Sequence, residues 1–236
     1  MSKHVSLQSA WSGEADCKNC QLRNTVLFSG LEEDDFEKIH QPIDQFTFAP
    51  GSFLYRLGEK ASHLFTIRSG SVKLVQYLPD GTQRIVRIVQ TTDITGLEAL
   101  LDQDYQHDAI ALQPTEVCKL PVPVIKKLSS ENPKLHQELM QRWNQALNEA
   151  DLWLTKLSTG SAKQRIARLL LHIFEKNPEG TQSLFGREDI GSMLAITTET
   201  ASRVIAEFKR NGILIDASQG NYYLDAVKLR ELTEVD

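Results

Sequence analysis

The chain has 236 residues, 41% of them apolar and 24% charged, with a formal net charge of −5. This is an ordinary globular composition, long enough for one or two domains with cores of their own. No apolar run approaches the ~20 residues that a membrane-spanning helix requires, and the negative charge argues mildly against a whole-surface nucleic-acid binder while leaving room for a local basic face.

The N-terminal stretch MSKHVSLQSAW has no apolar signal segment, so the expected compartment is the cytoplasm. Residues 1–28 are polar and form an expected arm that carries Cys17 and Cys20 in DCKNC. With Cys118 the cysteines number three, an odd count for a disulfide framework. In a reducing compartment, Cys-x-x-Cys points to metal binding or redox chemistry. Cys118 alone could equally be a small core residue. LEEDDFEKIHQ, residues 31–41, places Leu31, Phe36 and Ile39 as a short helix would.

From Ile43 to about Val122 the pattern changes to short apolar or alternating runs punctuated by Gly51, Gly58, Gly70, Gly81 and Gly96. In SVKLVQY, Val72, Leu74 and the stem of Gln76 are expected on one face, with Lys73 and Val75 on the other. A Pro-Asp-Gly turn then leads into another alternating run. Many short strands with Gly/Pro turns predict a sandwich or barrel.

A helical tract begins near Pro123, and residues 131–158 predict about seven helical turns. Trp143, Ala150 and Leu157 recur every seven residues, flanked by Leu139, Ala146 and Trp153 on one side and Met140, Leu147 and Leu154 on the other. The stripe is wider than one coiled-coil seam. One edge could pack on the chain's own barrel while the centre meets a second copy. The expected dimer interface is Met140, Trp143, Leu147, Ala150, Leu154 and Leu157; the competing reading is a helix buried in a monomer.

Residues 159–236 read as a separate small domain. A helix is expected over 162–175, with Ile166, Leu169, Leu170 and Ile173 inward. REDIGSMLA then gives a short helix, Ile196 and Thr197 a tight turn, and TETASRVIAEFKRNG a second helix. Thr197 or Thr198 can cap that helix, and Gly212 can end it. Ala201, Val204, Ile205 and Phe208 make its buried face. Glu199, Ser202, Arg203 and Lys209 or Arg210 are left outside, and Lys209 is counted with Glu199, Ser202 and Arg203 among the expected DNA contacts. ILIDASQGNYYLD predicts a two-stranded wing.

This arrangement suits DNA reading. A recognition helix presents its first turns to base edges in the major groove, and Glu199 and Arg203 share a face at i and i+4. Arg donates bidentately to guanine, and Glu accepts from cytosine N4. The hydroxyl-rich start, Thr197, Thr198 and Thr200, can bind phosphate together with helix N-terminal amides. The bland alternative is a solvated Glu199–Arg203 ion pair on an interaction module that does not read DNA. The six histidines, His4, His40, His63, His107, His136 and His172, are scattered without an imidazole pair, so no catalytic metal site is expected and the chain is not expected to be an enzyme.

APGSFLYRLGE, LFTIRSGSVKL and GREDIGSMLAITTETASRVIAEFKRNGIL resemble the CRP/FNR family of bacterial transcription regulators. The resemblance implies an α+β fold with a cupin-like β-roll, a long dimerisation helix and a C-terminal winged helix-turn-helix. The corresponding division is an arm at 1–28, a sensor roll at 29–130, the dimer helix at 131–158 and the DNA-binding domain at 159–236. Glu199, Ser202 and Arg203 look like the recognition triplet of the FNR branch, implying a TTGAT-N4-ATCAA-like palindrome read by a homodimer, with RNA polymerase as a partner through turns such as LPDG, residues 78–81.

Relatives that bind cyclic nucleotides use a Gly-Glu-Leu turn followed by an Arg-Ser or Arg-Thr pair. Here Gly96 and Glu98 lack that arrangement, and Gln106-His107-Asp108 stands where the arginine would be, so a cyclic nucleotide is not expected. The FNR branch senses oxygen through a [4Fe–4S] cluster on four cysteines. Cys17, Cys20 and Cys118 match three of them, and Val26 stands where a third arm cysteine would fall. Each iron of a cubane needs a ligand, which leaves Glu14, Asp16, Asn24 or His4, or an external donor, for the fourth. Three other readings stay open: a Cys17–Cys20 disulfide switch, another metal or small ligand, and remnant cysteines on a cofactor-free regulator.

Overall fold

The computed structural model describes residues 3–5, 43–175, 181–217 and 221–234. The expected helix at 31–41 lies outside these residues. The chain divides into two compact units, one of residues 1–76 and 87–148, the other of residues 77–86 and 149–236.

Two antiparallel sheets form the β-roll, which lies in the first unit apart from a hairpin end at residues 77–86. One sheet has the order β1-β2-β9-β4-β7 (Lys3–Val5, Ile43–Phe48, Thr115–Pro121, His63–Ser69, Ile94–Thr95). The other has the order β3-β8-β5-β6 (Phe53–Tyr55, Asp108–Ala111, Ser71–Tyr77, Gln83–Gln90). The turns explain the recurrent glycines. Gly70 joins β4 to β5 at a φ of 89°, and a Cβ there would come within 2.8 Å of both the Pro114 and Thr115 backbones. Only glycine permits that conformation and that approach. The expected alternation in β5 holds only in part: Val72 and Leu74 are buried, but so is Val75, and Gln76 is exposed. Both faces of β5 are covered as far as Val75, which erases a two-residue period there.

β1 was not anticipated within the arm. It pairs antiparallel with β2, Lys3 opposite Gln45 and Val5 opposite Ile43, and so adds an edge strand to the first sheet.

The outer face of the first sheet is covered by α1 (Val122–Glu131) and α2 (Pro133–Leu152). Leu64, Leu120, Ile125, Leu128, Leu135 and Leu139 form the buried cluster there, with Cys118 and Trp143 packed at its margin. Burying each such aliphatic side chain contributes roughly 1.5–3 kcal/mol. The break between the helices is local chemistry. Asn132 is extended, its Oδ1 accepts the Lys134 and Leu135 N–H groups at 2.9 and 3.2 Å, and Pro133 follows at the first helical position. An Asn cap followed by Pro starts a new helix and stops the old one.

In the second unit, α2 passes into a π-helical turn, Trp153–Leu157. The Ser158 hydroxyl donates to the Trp153 carbonyl at 2.8 Å, and Arg168 Nη1 donates to the carbonyls of Lys156 and Thr159 at 3.0 and 2.9 Å. Widened turns leave carbonyls without their usual partners, and these side chains supply them. α3 (Ala162–Glu175) buries Ile166, Leu169, Leu170 and Ile173 as expected. α4 (Arg187–Leu194), α5 (Thr198–Arg210) and α6 (Ala226–Glu234) complete the helices, and a small sheet has the order β10-β12-β11 (Gln182–Ser183, Asn221–Leu224, Leu214–Asp216).

Candidate nucleic-acid interface

The α4-turn-α5 pair is built by its sequence. Ile190, Met193 and Leu194 of α4 are buried, as are Ala201, Val204, Ile205 and Phe208 of α5. The turn is tight because Ala195 takes a left-handed conformation, φ 52°, and the Ile196 N–H reaches the Gly191 carbonyl at 3.1 Å. A Cβ on Gly191 would lie 2.8 Å from the Ile196 carbonyl oxygen, so any larger residue would push the second helix away from the first. Arg165 of α3 donates to the Leu194 carbonyl at 2.5 Å, and Lys163 pairs with Glu207 of α5 at 2.7 Å. The helix pair is therefore seated on α3 by polar contacts as well as by apolar packing.

Thr197 is the cap: its Oγ1 accepts the Thr200 N–H at 3.2 Å. Thr198, Glu199, Ser202 and Arg203 are exposed, and Thr200 is half-buried. The Glu199 carboxyl is held below its ordinary range by its own backbone N–H and by the Thr197 side chain, and Arg203 is not among its partners. Glu199 sits on the helix N-terminus, where the helix dipole favours an anion. The guanidinium of Arg203, one turn on, projects into solvent.

Lys209 is placed differently. Its Nζ donates to the Tyr222 hydroxyl at 2.7 Å, lies 3.3 Å from the Asp216 carboxylate and sits 4.3 Å from the Tyr222 ring centre. These contacts raise its pKa, the Tyr222 hydrogen bond most. α5 ends as expected on Gly212: the Gly212 N–H reaches the Lys209 carbonyl at 3.1 Å and the Ile213 N–H reaches Phe208 at 2.9 Å, a Schellman closure.

In the roll, Tyr55 is buried, stacks on Tyr105 at 3.9 Å and bonds the Thr95 hydroxyl. Burial raises the Tyr55 phenol far above its ordinary range. Asp108 is buried and its Oδ1 accepts the Leu57 N–H at 2.8 Å. Burial lowers the pKa of the neighbouring His107 imidazole, on which Glu98 and Arg87 act in opposite directions. Cys118 is half-buried on β9, with Gln45 of β2 and Thr66 of β4 directly opposite. Beyond Gln45 lies Lys3 of β1, about 10 Å from Cys118 by ordinary strand spacing. Cys17, Cys20 and the suggested fourth ligands Glu14, Asp16 and Asn24 lie outside the described residues, as does the His4 side chain. Among the described residues, no three His, Cys, Asp or Glu side chains form a group that could hold a metal ion.

Residues 45–132 match the cyclic nucleotide-binding domain family, and residues 164–232 match the Crp-like helix-turn-helix domain. The chain belongs to the CRP/FNR family of transcription regulators. It is 26% identical over 223 residues to the transcriptional activator protein anr of Pseudomonas aeruginosa, covering 92% of this chain and 91% of that one. It is likewise 26% identical to the fumarate and nitrate reduction regulatory protein of Vibrio cholerae, covering 93% and 90%. The structure of FixK2 from Bradyrhizobium japonicum superposes with a TM-score of 0.75 at 23% identity, covering 82% of this chain and 98% of that one. CRP/FNR proteins regulate transcription and are not enzymes, and the helix-turn-helix of this chain is a DNA-binding domain.

Within this CRP/FNR chain the apolar stripe of the long helix divides. Leu135 and Leu139 are buried on the roll, and Trp143 is half-buried beside them. Met140, Leu147 and Leu154 are 49%, 61% and 69% exposed, and Ala150 is exposed among them. Leu157 departs from the expected interface: it is 1% exposed and packs with the π-turn on α3. The π-turn adds a residue to the helical repeat and rotates the last position of the stripe inward. No helix among the described residues is long and apolar enough to cross a membrane.

Proposed function

We propose that this CRP/FNR protein is a homodimer that reads a TTGAT-N4-ATCAA-like palindrome and responds to oxygen or redox state. The observation that carries the DNA half is the exposed Glu199–Ser202–Arg203 face at the capped start of α5. Arg203 and Glu199 supply base contacts, Ser202 lies beside them, and Thr197, Thr198 and Thr200 with the α5 amides face phosphate. Dimerisation runs along Met140, Leu147, Ala150 and Leu154, with Trp143 at its edge, and it sets two recognition helices about one DNA turn apart. The working division is an arm at 1–28, a roll at 29–130, a dimer helix at 131–158 and a DNA-binding domain at 159–236. The turn at 78–81 is proposed to meet RNA polymerase, and the compartment is the cytoplasm.

For the signal, Cys17, Cys20 and Cys118 are proposed as three ligands of a [4Fe–4S] cluster, with a fourth donor that is not cysteine. The fit rests on Cys118. Its thiol is half-buried on the sheet to which the arm's own strand β1 is added, so a thiolate from the arm has a fixed partner on the roll. A bound cluster would supply oxygen-sensitive redox chemistry, and the chain's part is to tie the arm to β9. The supply of three cysteines for four irons favours a second reading, in which Cys17 and Cys20 form a reversible disulfide. A cyclic nucleotide is not part of the proposal. The position expected to neutralise its phosphate holds no arginine: it holds His107, whose pKa burial lowers, and Asp108, whose Oδ1 already accepts the Leu57 N–H.

Two experiments test these readings. Titration of the palindromic duplex against scrambled competitor should show preferential binding, and equal affinity in every oxidation state removes the DNA reading. Iron, sulfide and visible absorbance are then measured on protein purified without oxygen, beside Cys17→Ser, Cys20→Ser and Cys118→Ser. Iron-free protein after reconstitution removes the cluster and leaves the thiol switch, which a Cys17–Cys20 disulfide detected by mass spectrometry would support.

A further inference from the structure

We propose that Lys209 is a positioning residue that fixes the wing to the end of the recognition helix and makes no DNA phosphate contact. The inference refines the proposed interface, in which sequence alone places Lys209 among the DNA contacts. The ammonium has three protons to donate. Two of its neighbours are the Tyr222 hydroxyl at 2.7 Å and the Asp216 carboxylate at 3.3 Å. Tyr222 and Asp216 are directly opposite each other on β12 and β11. One lysine from α5 therefore holds both strands of the hairpin at a single rung. The Tyr222 ring, 4.3 Å from Nζ, adds a cation–π contact. At its other end Lys209 is fixed as well, since its carbonyl accepts the Gly212 N–H that closes the helix. Arg210, the next residue, is exposed. Of the two cations the sequence leaves outside, the fold turns one to the wing and the other to solvent.

A lysine that neutralises a phosphate and one that orients a wing differ in a measurable way. Each phosphate contact on duplex DNA contributes about 0.9 to the slope of log affinity against log salt. With the palindromic duplex, Lys209→Gln should weaken binding about three- to tenfold and leave that slope unchanged. Tyr222→Phe, which keeps the ring and removes the hydroxyl, should act in the same direction, and the double variant should lose less than the two single losses combined. Lys209→Arg, which keeps a donor cation, should recover part of the loss. In DNA-free protein, Lys209→Gln should speed amide exchange at β11 and β12 while leaving α4 protected. That readout decides the positioning role even where no duplex is bound, so failure of the DNA reading is seen separately. A slope reduced by about 0.9 per protomer, or unchanged exchange in the wing, overturns the proposal.

Discussion

The DNA-binding unit and the β-roll belong to one chain but expose their chemistry in opposite ways. On α5 the polar residues that matter stand in solvent, on a helix whose cap, turn and buried face are all made by residues within a few positions of them. In the roll the corresponding residues are enclosed: Asp108 bonds a backbone amide, Tyr55 bonds Thr95, and Cys118 is half-buried at the margin of the cluster beneath α1 and α2. A reading surface is assembled locally and left open. The sensing proposed for the roll depends on what the arm brings to Cys118, while Tyr55, Thr95 and Asp108 serve the roll's own packing. The two regions should therefore respond differently to substitution.

The largest expected effect breaks the scaffold beneath the reading surface. Phe208 is fully buried, and Phe208→Ala should cost ~3–5 kcal/mol of stability in urea unfolding, with loss of DNA binding. In the roll, Tyr55→Phe should cost about 1–3 kcal/mol, because the buried Thr95 hydroxyl loses its partner. If the phenol serves structure alone, the response of DNA binding to oxygen or thiol oxidants should persist in that variant. Thr197→Ala removes a helix cap and should cost ~1 kcal/mol, read as a small fall in stability and faster amide exchange in the first turn of α5. The proposed dimer is tested by Ala150→Asp, which sets a charge in an exposed apolar stripe. Its mass in solution should fall to that of a monomer with little change in unfolding midpoint, and an unchanged dimer removes this helix from the interface.

The same contrast explains what could be read in advance. The helix pair was legible because its signals are local: an i, i+3, i+4 apolar pattern, a threonine cap, and glycine at the closing turn. The sandwich was legible as a class from its turns, but its details were not. In β5 burial on both faces runs as far as Val75 and stops at Gln76, and no alternation records that. β10 has two residues and is defined only by its partner β12. α6 buries Leu229 with little apolar periodicity around it to announce a helix. The inward turn of Leu157 follows from the π-turn, whose extra residue breaks the seven-residue repeat that places it on the exposed stripe in the sequence. Lys209 was expected outside by helical phase, and only the wing's position shows what its ammonium meets. Cys17 and Cys20 are read from their spacing alone and lie outside the described residues; Cys118, proposed above as their partner, is half-buried on β9.

The most direct test of the DNA reading measures the affinity of wild-type protein and Arg203→Ala for the palindrome and for duplexes changed at one symmetric base pair at a time. The expected result is a loss of ~1–3 kcal/mol for the variant on the palindrome, with discrimination abolished at one base pair and kept at the others. A loss equal on every duplex, including scrambled sequence, would mean that Arg203 meets only phosphate and that the exposed face of α5 does not read bases.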